Sequence, residues 1–141
     1  MKRRLKTMHK ASTFTLCVLA AVSPLSAALA DSAYKRCTTS ADDKTDFMSA
    51  YGQCGADWIQ REDDKLNAVW KKVYGPLEGQ TKKDLLAEQR AWIPYKESTC
   101  QFYLNGDWGR QAFQIDFARC RAKVIASRTR ELQAYGKYFG N

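Results

Sequence analysis

Four cysteines, Cys37, Cys54, Cys100 and Cys120, lie beyond an N-terminal stretch with the pattern of a removable export signal, and together they set what this chain can fold into. Lys2, Arg3, Arg4, Lys6 and Lys10 form a basic start, and Phe14 to Val22 then runs apolar for about nine residues, too short to cross a bilayer. Ala28-Leu29-Ala30 places small residues at the positions a signal peptidase admits, so cleavage is expected after Ala30 and the mature protein is residues 31–141. Cys17 lies within the apolar run behind Phe14-Thr15-Leu16, without the small residues that a lipid-attachment site would need, and it leaves with the signal. An even number of cysteines in an exported chain reads as two disulfides. Pairing on paper is open to three arrangements. Cys37 with Cys54 and Cys100 with Cys120 is the favoured one, because each bridge then staples neighbouring segments.

Removing the signal changes the chemistry available. Five of the 23 basic residues and none of the 15 acidic ones lie in it, so the formal charge falls from +8 to +3, with 18 basic residues against 15 acidic. The remaining charges are mixed, as in Arg61-Glu62-Asp63-Asp64-Lys65, which suits a solvated helix face rather than the clustered basic field of a nucleic-acid or membrane-surface binder. The only histidine, His9, is also lost, which excludes Ser-His-Asp and Cys-His catalysis and histidine-based zinc sites. The widely spaced cysteines match no metal motif. No catalytic residue, metal or cofactor is expected.

The periodicity predicts an all-α domain: a small bundle of three main helices plus a short N-terminal helix, stapled by two disulfides. Residues 31–41 are small and polar and are expected to be poorly ordered apart from Cys37. A short helix carries Phe47, Tyr51 and Cys54 and ends near Gly55; a longer one carries Trp58, Ile59, Leu66, Val69, Trp70, Val73 and Leu77, with Gly75-Pro76 as its stop. Thr81 and Asp84 resemble a capping box that starts a third helix, striped by Leu85, Leu86, Trp92, Ile93, Cys100 and Tyr103 and kinked at Pro94. Asn105-Gly106-Asp107-Trp108-Gly109 is turn chemistry. A last helix from about Gln111 to Gly136 carries Phe113, Phe117, Cys120, Val124, Leu132 and Tyr135 on one face.

Several polar residues fall where apolar ones belong: Glu62, Gln89, Lys96 and Arg128 near stripe centres, and Asp63 at an edge. Buried charge is costly unless paired. A structural network is therefore expected, with Arg128 clasping Asp63 or Glu62 and Gln89 bridging. Trp108, between Asp107 and Arg110, has no helical stripe to join. It either packs back over the Cys100–Cys120 bridge or, with Asn105, Asp107 and Arg110, forms a loop that contacts a partner, since Trp and Arg dominate binding hot spots.

The order of Cys54, Asp63 with Leu66-Asn67, Gln89-Arg90-Ala91-Trp92, Lys96-Glu97 ahead of Cys100, and Cys120 followed by Arg128, Thr129 or Ser127, and Leu132 resembles the lysozyme inhibitor LprI-like family of bacterial envelope proteins. Tyr51-Gly52-Gln53, Trp108 and Pro94 depart from that family's usual pattern. The resemblance implies a helical, disulfide-containing periplasmic protein, with lysozyme inhibition known for part of the family. The first expectation is a protein without enzymatic activity that binds a protein partner and inhibits lysozyme or a related cell-wall hydrolase by occupying its cleft. The alternative is an envelope structural, stress-related or immunity-type protein that binds another partner. Neither reading involves nucleic acid or stable membrane insertion.

Overall fold

The computed structural model describes residues 25–140, with side chains from Ser32 onward, so the basic and apolar parts of the export signal lie outside the described residues. All regular structure there is helical: α1 (Leu25–Ala41), α2 (Phe47–Tyr74), α3 (Gly79–Ser98), a 3₁₀ turn (Gln101–Leu104), a single turn α4 (Gly109–Gln111), a π-helical stretch (Ala112–Asp116) and α5 (Phe117–Tyr138). The two bridges pair Cys37 with Cys54 and Cys100 with Cys120, as the spacing predicts.

α2 and α5 form the spine. In α5, besides buried Arg121 and Arg128, the buried positions Ala118, Ala122, Ile125, Thr129, Leu132 and Gly136 recur at steps of four and three, a heptad rhythm that keeps one narrow face against a neighbouring helix. In α2 the buried positions are Cys54, Gly55, Trp58, Glu62, Leu66 and Val73. Two glycines bring the helices together. A Cβ on Gly55 would lie 2.5 Å from Ala118 Cβ, and one on Gly136 would lie 3.0 Å from Val73 Cγ2. Early α2 therefore meets early α5 and late α2 meets late α5, so the two helices run parallel, and α3, between them in sequence, returns the chain.

Leu66, Val73, Leu77, Leu85, Ile125 and Leu132 make the main core, with Ile59, Val69, Trp70, Tyr74, Trp92 and Tyr135 packed around it. A second cluster of Tyr34, Cys54, Trp58 and Ala122 seats α1 on the first half of α2. The Tyr34 and Trp58 rings lie 4.8 Å apart there. Residues 31–41, expected to lack order, are thus helical; buried Tyr34 and Ala41 supply the anchoring that their small polar neighbours do not.

Other boundaries also differ from the expectation. Gly55 ends no helix: α2 runs unbroken from Phe47 to Tyr74, because Gly55 serves close packing against Ala118. Gly75 does end it, donating its N–H to the Lys71 carbonyl. α3 begins at Gly79 rather than Thr81, and Asp84 accepts from Gln80 instead of completing a capping box. It continues through Pro94 but stops at Ser98, so Cys100 and Tyr103 lie beyond it. Its apolar stripe is largely uncovered. Leu85 is its only buried residue, and Ile93 is 47% exposed.

Candidate functional site

The connection from α3 to α5 is built at Cys100. Its φ of 76° is the only positive value among described non-glycine residues, and it turns the chain sharply out of α3. Such a conformation costs a residue with a Cβ about 1–3 kcal/mol unless its surroundings impose it. Here Cys100 is buried and bridged to Cys120 near the start of α5. Arg121, one residue on, closes the same junction. Its Nη1 donates to Glu97 Oε2 at 3.2 Å, and its Nη2 donates to the carbonyls of Glu97 at 3.0 Å and Thr99 at 3.3 Å. A cation on the last carbonyls of α3 satisfies acceptors that the helix itself cannot and complements its dipole.

Beyond the junction, Gly106 and Gly109 adopt φ of 93° and 75°, which the tight turn requires of residues without a Cβ. Asn105 Oδ1 accepts the Asp107 N–H at 2.9 Å, fixing the turn locally. Trp108 does not pack over the bridge. It is 62% exposed, and its ring meets Phe102 and Tyr103 edge-on, with centroids 6.1 Å and 6.3 Å away. Phe102 is itself half exposed and lies 4.1 Å from Tyr103, so three rings gather at this end of the molecule. Arg110 ties the far side of the loop down by donating to Asp46 Oδ1 at 3.0 Å. Asp46 is also the N-cap of α2. Hydrogen bonds from Ser49, and secondarily Arg110, hold the Asp46 carboxyl below its ordinary value.

The polar residues singled out in the sequence form three separate groups rather than one. Glu62, buried on α2, pairs with Lys65 at 2.7 Å. Asp63 meets Lys96 of α3 at 3.5 Å, and Lys96 also reaches Glu97 at 3.3 Å. Together with Arg121, Lys96 holds the Glu97 carboxyl low, the Lys96 contact being the larger cause. Arg128 reaches neither Glu62 nor Asp63. Its Nε donates to Gln89 Oε1 at 2.9 Å, and its Nη1 to Glu88 Oε1 at 2.6 Å and Glu131 Oε2 at 3.2 Å. The reason is rotational. Ile125, Thr129 and Leu132 occupy the inward face of α5, which leaves Arg121 and Arg128 turned toward α3. Arg121 escaped the sequence reading, although it precedes Arg128 by one heptad and shares its face.

Among the described residues no three His, Cys, Asp or Glu side chains gather as they would to hold a metal ion, and no helix is long and apolar enough to cross a membrane. This end of the molecule gathers three aromatic rings, of which Phe102 and Trp108 are exposed. An all-helical domain stapled by two bridges, of which Cys100–Cys120 encloses the Trp108 loop, defines a class of small disulfide-stapled proteins. A family model described as lysozyme inhibitor LprI matches residues 37–132, and the chain belongs to that family. The matched span begins at Cys37 and includes both bridges and the Trp108 loop. No curated protein and no solved structure matches the chain.

Proposed function

We propose that the protein is exported, loses residues 1–30, and works in the periplasm as an inhibitor of lysozyme or a related cell-wall hydrolase. In this reading the loop Asn105–Arg110 enters the hydrolase cleft and blocks it without any chemistry of its own. Membership of a lysozyme inhibitor family and the two disulfides support an extracytoplasmic binding role. The observation that carries the choice of surface is Trp108. A large ring left 62% exposed, braced by two further rings on a loop fixed at Cys100–Cys120 and at Arg110–Asp46, is ordered before binding. A surface ordered in advance avoids the cost of immobilising side chains on association.

A turbidity assay on bacterial walls tests this. The purified protein should slow lysozyme or another wall hydrolase at about micromolar concentration, and Trp108→Ala should weaken inhibition by about 30-fold, the loss of a typical aromatic hot spot. Absence of inhibition at large excess over several hydrolases refutes the reading. Full inhibition by Trp108→Ala removes the loop from it.

A further inference from the structure

The end of the bundle opposite the Trp108 loop, about 30 Å away along the 22 residues of α5, gathers charges that the sequence scatters among acidic neighbours. Val73 against Gly136 brings the end of α2 to the end of α5. Lys82 Nζ donates to the Gly75 carbonyl at 3.3 Å and lies 5.0 Å from the Tyr74 ring centroid, which brings the start of α3 to the same place. Five lysines therefore surround one tip: Lys71 and Lys72 in the last turn of α2, Lys82 and Lys83 near the start of α3, and Lys137 in the last turn of α5. None of them meets a carboxylate at ion-pair distance among the described residues. The acidic residues beside them in sequence, Glu78 and Asp84, are outnumbered. At the tip itself Tyr138 and Phe139 stand 89% and 41% exposed, their rings edge-on with centroids 6.1 Å apart.

We propose that this tip docks the protein on an anionic phospholipid surface, without insertion of a helix. Lysines in the last turns of α2 and α5 complement the dipoles of those helices, and Lys82 answers the Gly75 carbonyl, so four of the five have a local role. Lys83 has none: it is exposed near the opposite, positive end of the α3 dipole. No local role explains five cations collected on one tip around two uncovered rings. Like charges held together repel one another, and a surface that brings negative charge to all of them at once relieves that repulsion. A basic cluster of this size is what an anionic leaflet attracts. The rings favour lipid over a soluble polyanion. At a membrane interface an aromatic ring rests at headgroup depth while lysine stems reach along it to the phosphates. Single-stranded nucleic acid instead needs rings on which successive bases stack along a groove, whereas these two meet at 84° at the end of a helix.

Cosedimentation with vesicles tests the proposal, using the secreted form with its N-terminus verified by mass so that the basic export signal contributes nothing. Phosphatidylcholine vesicles holding about one-third phosphatidylglycerol should retain the protein, and pure phosphatidylcholine should not. Salt at about 0.5 M, where the screening length falls to about 4 Å, should release it. Lys83→Gln and Lys137→Gln, both at exposed positions, should each weaken retention about fivefold. Tyr138→Ser should weaken retention on vesicles and leave binding to heparin unchanged. Hydrolase inhibition should survive all three substitutions, and Trp108→Ala should leave vesicle binding unaltered, so the tip and the loop fail or stand separately. Equal retention on both vesicle types, no retention on the anionic ones, or parental retention of lysine variants whose circular dichroism shows a native fold overturns the proposal. Parental retention of Tyr138→Ser assigns the lysines to soluble polyanions and overturns the lipid reading.

Discussion

Toward α2, helix α5 presents Ala118, Ala122, Ile125, Leu132 and Gly136, and the two backbones close until glycines are needed at both ends. Toward α3 it presents two arginines. Arg121 holds the last carbonyls of that helix, and Arg128 its middle, through Glu88 and Gln89. The first contact is apolar, continuous and intolerant of added volume. The second is a pair of polar latches on a helix that buries only Leu85. The α2–α5 pair should therefore carry the global stability, while α3 should open locally, as weakly buried elements do. The Trp108 loop proposed above for recognition follows α3, the more loosely held element.

The comparison is most exposed to failure at Ile125, which is fully buried between the helices. Ile125→Ala should lower the unfolding free energy by about 3–4 kcal/mol in urea denaturation. A smaller loss than that from any α3 variant would reverse the ranking. Next in size is the joint change Cys100→Ser with Cys120→Ser, which should cost about 3 kcal/mol by the loop-entropy relation. It should also speed amide exchange through residues 99–110, while exchange in α2 keeps its order.

Arg128→Ala should cost less, about 1–2 kcal/mol, because its partners Glu88 and Glu131 stand half exposed and return to water when it goes. Arg128→Met should stay within about 1 kcal/mol of the parent, since an apolar side chain of similar length can replace a buried cation. In both variants α3 amides should exchange faster than those of α2. The smallest expected effect is that of pH. Glu97 has its pKa lowered in the folded state, so its stabilisation is present above its ordinary value of 4.5 and is lost as pH falls through the lower folded value. Protection at the end of α3 should decline modestly over that acid range, and Glu97→Gln should abolish the decline. The effect is modest because the side chain is 61% exposed and well screened.

The fold was legible where the signal was covalent or strongly periodic. Cysteine spacing gave both bridges, and the long apolar repeat from Trp58 to Leu77 gave the body of α2. The inner face of α5 was harder to read. Large residues such as Phe113 and Val124 drew attention, but Phe113 is 53% exposed, while the seam is made of Ala118, Ala122, Thr129 and Gly136. Hydropathy gives small residues little weight, yet close packing of parallel helices depends on them. Similarly, Gly55 looked like punctuation because a glycine's role, break or close approach, depends on what lies opposite. The position of the Trp108 loop followed from turn chemistry. Its exposure, and the rings of Phe102 and Tyr103 beside it, depend on the left-handed Cys100, for which the residue type carries no signal.

The parallel course of α2 and α5 also bears on how the chain reaches its fold. Gly55 meets Ala118 and Val73 meets Gly136, each pair 63 residues apart (55 to 118, 73 to 136). Most small helical proteins gain speed from contacts between sequence neighbours, and loop closure must precede any reward from distant ones. This chain defers its principal seam until nearly all of it is present. During synthesis at about 5–20 residues per second, α2 waits several seconds with its apolar face uncovered before α5 emerges.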